Sequence, residues 1–257
     1  ATRFAAAFSP STSDILDHWD RSRAEIRAAR RVRDVEPPAS PIVSDELLIT
    51  TNALVTMPDG TTAGPPNQVF DHPMPLHVHD AANEVIHGLR GLESAMSVER
   101  QRGTITRPMP VLVSVATTHR TIDDAATTFV RGSVRRAGPF RHLEVFVIDE
   151  SASRRIIEEV LAPAAGASAG SMASVGAGGT YGRHYSFLMA AGALWDLAVR
   201  PTTATFKIDL DQVFPQEPLI AATGRSAIQL LTAAPWVGRA RTHMGTASIS
   251  GWWRVRW

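Results

Sequence analysis

The chain has no cysteine, and only one of its 26 basic residues, Lys207, is a lysine. Without cysteine there is no disulfide framework, no thiolate metal site and no thiol nucleophile. This fits a reducing compartment, and the expected location is cytoplasmic. Long apolar runs are also missing. The longest, Tyr185 to Val199, is too short for a bilayer and carries Asp196, so no transmembrane helix is expected. The alanine-rich start, ATRFAAAF, lacks the apolar core of a secretory signal. Nor is one sign of charge in excess: the net charge is +1, so no global field favours nucleic acid. The preference for arginine over lysine is read as a trace of GC-rich coding rather than as selection for phosphate binding.

What is present suffices for a folded core. Over 257 residues, 44% are apolar, which supports one large domain or one domain with an extension. Residues 1–35 read as a helix beginning near Ser13, with the basic run RAARRVRD on a solvated face. EPPASP (36–41) reads as a break, and ELLITTNALVTM (46–57) has strand character. In 80–103, Val85, Leu89, Leu92 and Met96 recur at helical spacing behind Asp80 as N-cap. Gly88 and Gly91 argue against that helix.

From residue 108 the pattern becomes strand, helix, strand, helix, helix, strand. Val111–Ala116 is an apolar strand. Thr121 and Asp124 then make a capping-box-like start, and Ile122, Ala125, Ala126, Phe129, Val130 and Val134 form one stripe. HLEVFVIDES (142–151) is a second strand, SRRIIEEVL a short helix, and PAAGASAGSMASVGAGG a small-residue loop. A helix over 182–199 precedes the strand in TATFKIDLDQVF (203–214). Apolar strands alternating with helices imply a parallel sheet covered on both faces, with Val111–Ala116, Leu143–Ile148 and Ala204–Ile208 as neighbouring strands and ligands at their carboxyl ends. Asp149, Asp209 and Asp211 all fall at such ends. Asp209 and Asp211 share one face of an extended chain, where two carboxylates either repel each other or share a cation. The plainer alternative is that they are solvated strand-end acids of some other Rossmann-like domain.

The stretch VLVSVATTHRTIDDAATTFVRGSV, then EVFVIDES, then TFKIDLDQV resembles the nucleotide-binding half of a GT-A glycosyltransferase of the family-2 type, over roughly residues 108–215. The resemblance implies an α/β, Rossmann-like parallel or mixed sheet flanked by helices in a domain at 108–257, with 1–107 as an N-terminal extension. It also implies a metal-dependent transfer of sugar from a nucleoside-diphosphate sugar to an acceptor. Thr117 and Asp149 would contact the nucleotide. Asp209 and Asp211 would hold Mn²⁺ or Mg²⁺ against the diphosphate, with His243 as a third ligand. Glu217 is the candidate catalytic base.

A second resemblance lies in PLHVHDAANEVIHGLRG (75–91). Cupins, which are jelly rolls, space His-x-His, Glu and Gly as His77, His79, Glu84 and Gly91 stand here, with one more histidine where His119 stands. Three histidines and a glutamate are a ligand set for Fe²⁺ or Mn²⁺ in a dioxygenase. The terminal GWWRVRW supplies three tryptophans, read first as core packing or a homo-oligomer contact and second as a sugar-stacking platform.

Overall fold

Ten residues, Leu47–Thr56, form the longest strand among the described residues, and the main sheet is built around it. The computed structural model describes residues 10–29, 34–36, 42–58, 73–172, 191–192, 194–196, 198–212, 214–233, 239–242 and 245–248. The described residues fall into two compact units, one from the two ends of the chain and one from 42–232.

The terminal unit contains helix α1 (Pro10–Ala29) and strand β1 (Asp34–Glu36). Two later strands, β7 (Arg239–Thr242) and β8 (Gly245–Ser248), complete an antiparallel sheet of order β1-β7-β8. The helix expected over residues 1–35 is therefore shorter, because 34–36 pair with β7.

The larger unit runs through β2 (Leu47–Thr56), β3 (Met74–Pro75), α2 (Glu84–Gln101), β4 (Met109–Thr117), α3 (Asp123–Ala137) and β5 (Leu143–Ile148). Then come α4 (Glu150–Ile156), β6 (Ala204–Lys207), α5 (Gln216–Thr223) and α6 (Ala227–Leu231). Helix α4 runs on through a π-helical turn, Ile157–Leu161.

Every pairing in this sheet is parallel. One edge of β2 takes β4, and β4 takes β5 on its far side. On the other edge of β2, β6 pairs with Leu47–Thr50 and β3 with Val55–Thr56. All nine residues of β4, Ser114 and Thr117 included, are buried, as a strand covered on both faces requires. One face packs on α2 and α3 through Ile49, Val55, Val111, Val113, Leu89, Leu92, Met96, Phe129 and Val130. The other packs Leu48 and Leu112 on Ala191 and Trp195, which lie in the helical residues 191–192 and 194–196.

Several expectations need correction. Val111–Ala116, Leu143–Ile148 and Ala204–Ile208 are parallel, but β6 does not neighbour β4, because β2 stands between them. Residue 107, the expected boundary, lies in the connection between α2 and β4. Helix α2 is capped by Asn83, whose Oδ1 accepts from the Ile86 N–H at 3.2 Å, while Asp80 starts a separate 3-10 turn. Asn83 spans more of the structure than a cap needs to, since its Nδ2 donates to Ser133 Oγ of α3 at 2.9 Å. Thr121 is not a cap: it lies in a 3-10 turn, Arg120–Ile122, ahead of α3. Ala125 is exposed and leaves the stripe.

Candidate functional site

Strand order decides where a ligand crevice lies. After the two-residue β3, which lines the opposite edge of β2 at Val55–Thr56, the chain steps outward through β4 to β5, then returns to that opposite edge as β6. In open parallel sheets the crevice opens at the carboxyl ends of the strands flanking such a reversal. Here those strands are β2 and β6, and the residues leaving β6 are Ile208, Asp209, Leu210 and Asp211.

These residues turn because their ends hydrogen-bond to each other. The Gln212 N–H donates to the Asp209 carbonyl at 3.1 Å, and the Asp209 N–H donates to Gln212 Oε1 at 3.3 Å. Leu210 is buried in the α2–α3 core, while Asp209 and Asp211 are exposed. Alternation about a buried leucine thus turns both acids away from the core. The turn sits so close to α2 that a Cβ on Gly88 would come within 2.5 Å of the Leu210 carbonyl oxygen. Lys207 lies two residues earlier, on the same side of the strand as Asp209, and its Nζ is 2.5 Å from Asp209 Oδ1.

Two exposed carboxylates one residue apart fit a hard cation whose remaining ligands are phosphate oxygens and water. They do not form a closed protein site. Among the described residues, no group of three or more His, Asp or Glu side chains is placed to hold a metal ion. His243, the expected third ligand, lies outside the described residues.

The other candidates are spread along the same rim. Thr117 closes β4, is buried, and donates its hydroxyl to Asp123 at the start of α3. Asp149 closes β5 and caps α4: Oδ1 accepts from the Ala152 N–H at 2.8 Å, and Oδ2 pairs with Arg131 at 3.2 Å. Asp149 and Asp209 stand at nearly the same height, on strands three steps apart, which is roughly 14 Å at ordinary strand spacing. Beside Asp149, between the turn after β4 and α4, lies a cavity of about 200 Å³ lined by Arg120, Glu150, Arg154, Ile157, Glu158, Ala169 and Gly170.

Glu217 is exposed in the first turn of α5, next to a side chain with the opposite surroundings. Gln216 is buried and donates to Glu99 Oε1 at 2.7 Å. Glu99, fully buried, also accepts from the Ile228 N–H at 2.9 Å and the Ser226 hydroxyl at 2.5 Å. Its carboxyl group therefore fixes α5 and the start of α6 together. Nothing local in the sequence marked Glu99, since its three partners lie more than 115 residues away.

The jelly-roll strands implied for 75–119 are not formed: Glu84 opens α2, and His119 follows a parallel strand. His79 Nδ1 accepts from the Ala81 N–H at 3.2 Å, and His119 Nδ1 is 2.8 Å from Thr118 Oγ1. His77, with φ of 65°, sets its ring edge-on to Phe129.

Comparison with family models, with curated proteins and with solved structures finds no match to this chain. The fold is α/β, a parallel sheet flanked by helices and compatible with a Rossmann-like arrangement. No described helix is long and apolar enough to cross a membrane.

Proposed function

We propose that the chain is a metal-dependent glycosyltransferase that takes its sugar from a nucleoside-diphosphate sugar. The observation that supports this reading is the place of Asp209 and Asp211, at the carboxyl end of the strand where the sheet reverses direction. A divalent cation held there, Mn²⁺ or Mg²⁺, would neutralise the charge that grows on the diphosphate leaving group. The chain's own contribution is to hold both acids on the hydrogen-bonded 209–212 turn, with Leu210 as anchor.

The rest of the rim gives the donor a direction. The diphosphate lies at the 209–211 turn, and the nucleoside extends toward the ends of β4 and β5, where Thr117, Asp149 and the cavity beside α4 stand. Glu217, in the first turn of the helix that follows, is the proposed base for the acceptor.

Calorimetry with UDP and GDP, with and without Mn²⁺, tests the reading. Nucleotide should bind much more tightly with the metal, and Asp211→Asn should remove that gain. Binding indifferent to both would overturn it.

A further inference from the structure

The chain's single lysine lies in the β6 strand that leads to the acids. Lys207 pairs with Thr50 in the parallel register, so its backbone is fixed inside the sheet, and its side chain is only 17% exposed. Its Nζ reaches Asp209 Oδ1 at 2.5 Å, while the Asp209 side chain stays 53% exposed. A pair this open to water contributes at most about 1 kcal/mol, so it holds Asp209 without locking it.

A carboxylate cannot serve an ammonium and a divalent cation equally well at once. The two cations compete for Asp209 and repel each other across it. A diphosphate changes the balance, because its oxygens give the displaced ammonium a new partner within reach of the same turn. Lysine suits such an exchange: it is a compact point charge on a flexible stem, with three donors that can re-aim.

Resting on the reading of Asp209 and Asp211 as metal ligands, we infer that Lys207 couples metal to nucleotide. In the free protein its ammonium occupies Asp209 and holds metal affinity down. In the ternary complex it swings from Asp209 to a phosphate oxygen, so metal and diphosphate favour each other more than their own contacts require. The ligand class this selects is a phosphate-bearing nucleotide with at least two phosphates, since one group must meet the cation while another meets Lys207.

The inference gives effects of opposite sign, which a purely structural lysine would not. In Lys207→Met, calorimetry with Mn²⁺ alone should show affinity rising roughly tenfold, the size expected when one nearby positive charge is removed from a divalent ion's site. With UDP present, the enhancement of Mn²⁺ binding should fall by a similar factor. Lys207→Arg keeps the charge, should retain most of the wild-type coupling, and serves if the methionine variant folds poorly. Mn²⁺ affinity and UDP enhancement both unchanged in a folded Lys207→Met protein would overturn the inference. If they are unchanged while Asp211→Asn abolishes Mn²⁺ binding, the metal site stands and only the role of Lys207 falls. If wild-type protein binds no Mn²⁺ with or without UDP, the metal site and this inference fall together.

Discussion

Gly88 of α2 touches the main chain of Leu210, leaving no room for a side chain: a Cβ there would lie 2.5 Å from the Leu210 carbonyl oxygen and 2.9 Å from its Cα. A glycine inside a helix costs roughly 1 kcal/mol against alanine, and here that cost allows the acid-bearing turn to dock on the helix.

Gly88→Ala should therefore lose more through the clash than it gains in helix propensity. Overpacking of this kind costs about 1–3 kcal/mol. Urea unfolding should show a lower midpoint, and Mn²⁺ binding should weaken because the 209–212 turn moves. Gly91→Ala is the control. Nothing lies within 4 Å of a Cβ at Gly91, so that variant should be neutral or stabilised.

These two glycines also show what the sequence could convey. Both counted against a helix over 80–103, and only a residue more than 100 positions away explains one of them. The β4–α3–β5 run was legible because its signals are local: a buried strand, a stripe at helical spacing and Gly138-Pro139 where that stripe stops. Strand character was equally visible in Leu47–Thr56. Its place at the centre of the sheet was not, because strand order comes from pairings that no local pattern encodes. The error propagated to the site. With β2 between β4 and β6, Asp149 closes the strand farthest from the reversal rather than its neighbour. The two acids were legible as residues that leave an apolar strand, but β6 ends at Lys207 and they stand in the 209–212 turn rather than on the extended chain expected of them.

Glu99 should matter far more than its absence from any motif suggests. Glu99→Leu leaves the Ser226 hydroxyl and the Ile228 N–H without their buried acceptor, while the Gln216 amide keeps its longer bond, 3.4 Å, to the Ala95 carbonyl. Each orphaned donor costs about 1–3 kcal/mol, so the variant should be destabilised by at least about 2 kcal/mol. Denaturant unfolding measures this. A loss under about 0.5 kcal/mol, the range of an ordinary surface substitution, would show that the network relaxes around the change.

Asp45 sets an acid-sensitive contact at the amino-terminal end of the sheet. Burial works to raise its pKa, but the Thr106 hydroxyl and N–H donate to it at 2.5 and 2.7 Å. With Arg107 close by, these hold the carboxyl below its ordinary value of 3.8. A depressed carboxyl pKa gives stability that is present in full above that ordinary value and is lost as pH falls through the folded one. The stability gap between wild type and Asp45→Asn should therefore be widest near neutral pH and narrow below about pH 4. A gap that stays constant down to pH 2 would exclude this contribution.

Asp149 and Asp211 should act separately, and the sheet gives the reason. Their strands are three steps apart, so neither carboxylate shares a contact with the other. Asp149→Asn keeps an oxygen to cap α4 but loses the ion pair with Arg131, which is half exposed and worth under about 1 kcal/mol. Its effect on stability should be small. If Asp149 also meets the nucleotide, Asp149→Asn should weaken UDP binding with and without Mn²⁺ by the same factor. Asp211→Asn should instead act on the metal-dependent part alone, and mainly on turnover, since the charge it helps to neutralise grows toward the transition state. Effects at sites without shared contacts add, to within about 0.5 kcal/mol. The double variant should therefore lose the product of the two single losses in UDP affinity measured with Mn²⁺. A double variant no worse than the poorer single would mean that the two acids serve one site, and the division of the rim into a base end and a phosphate end would be wrong.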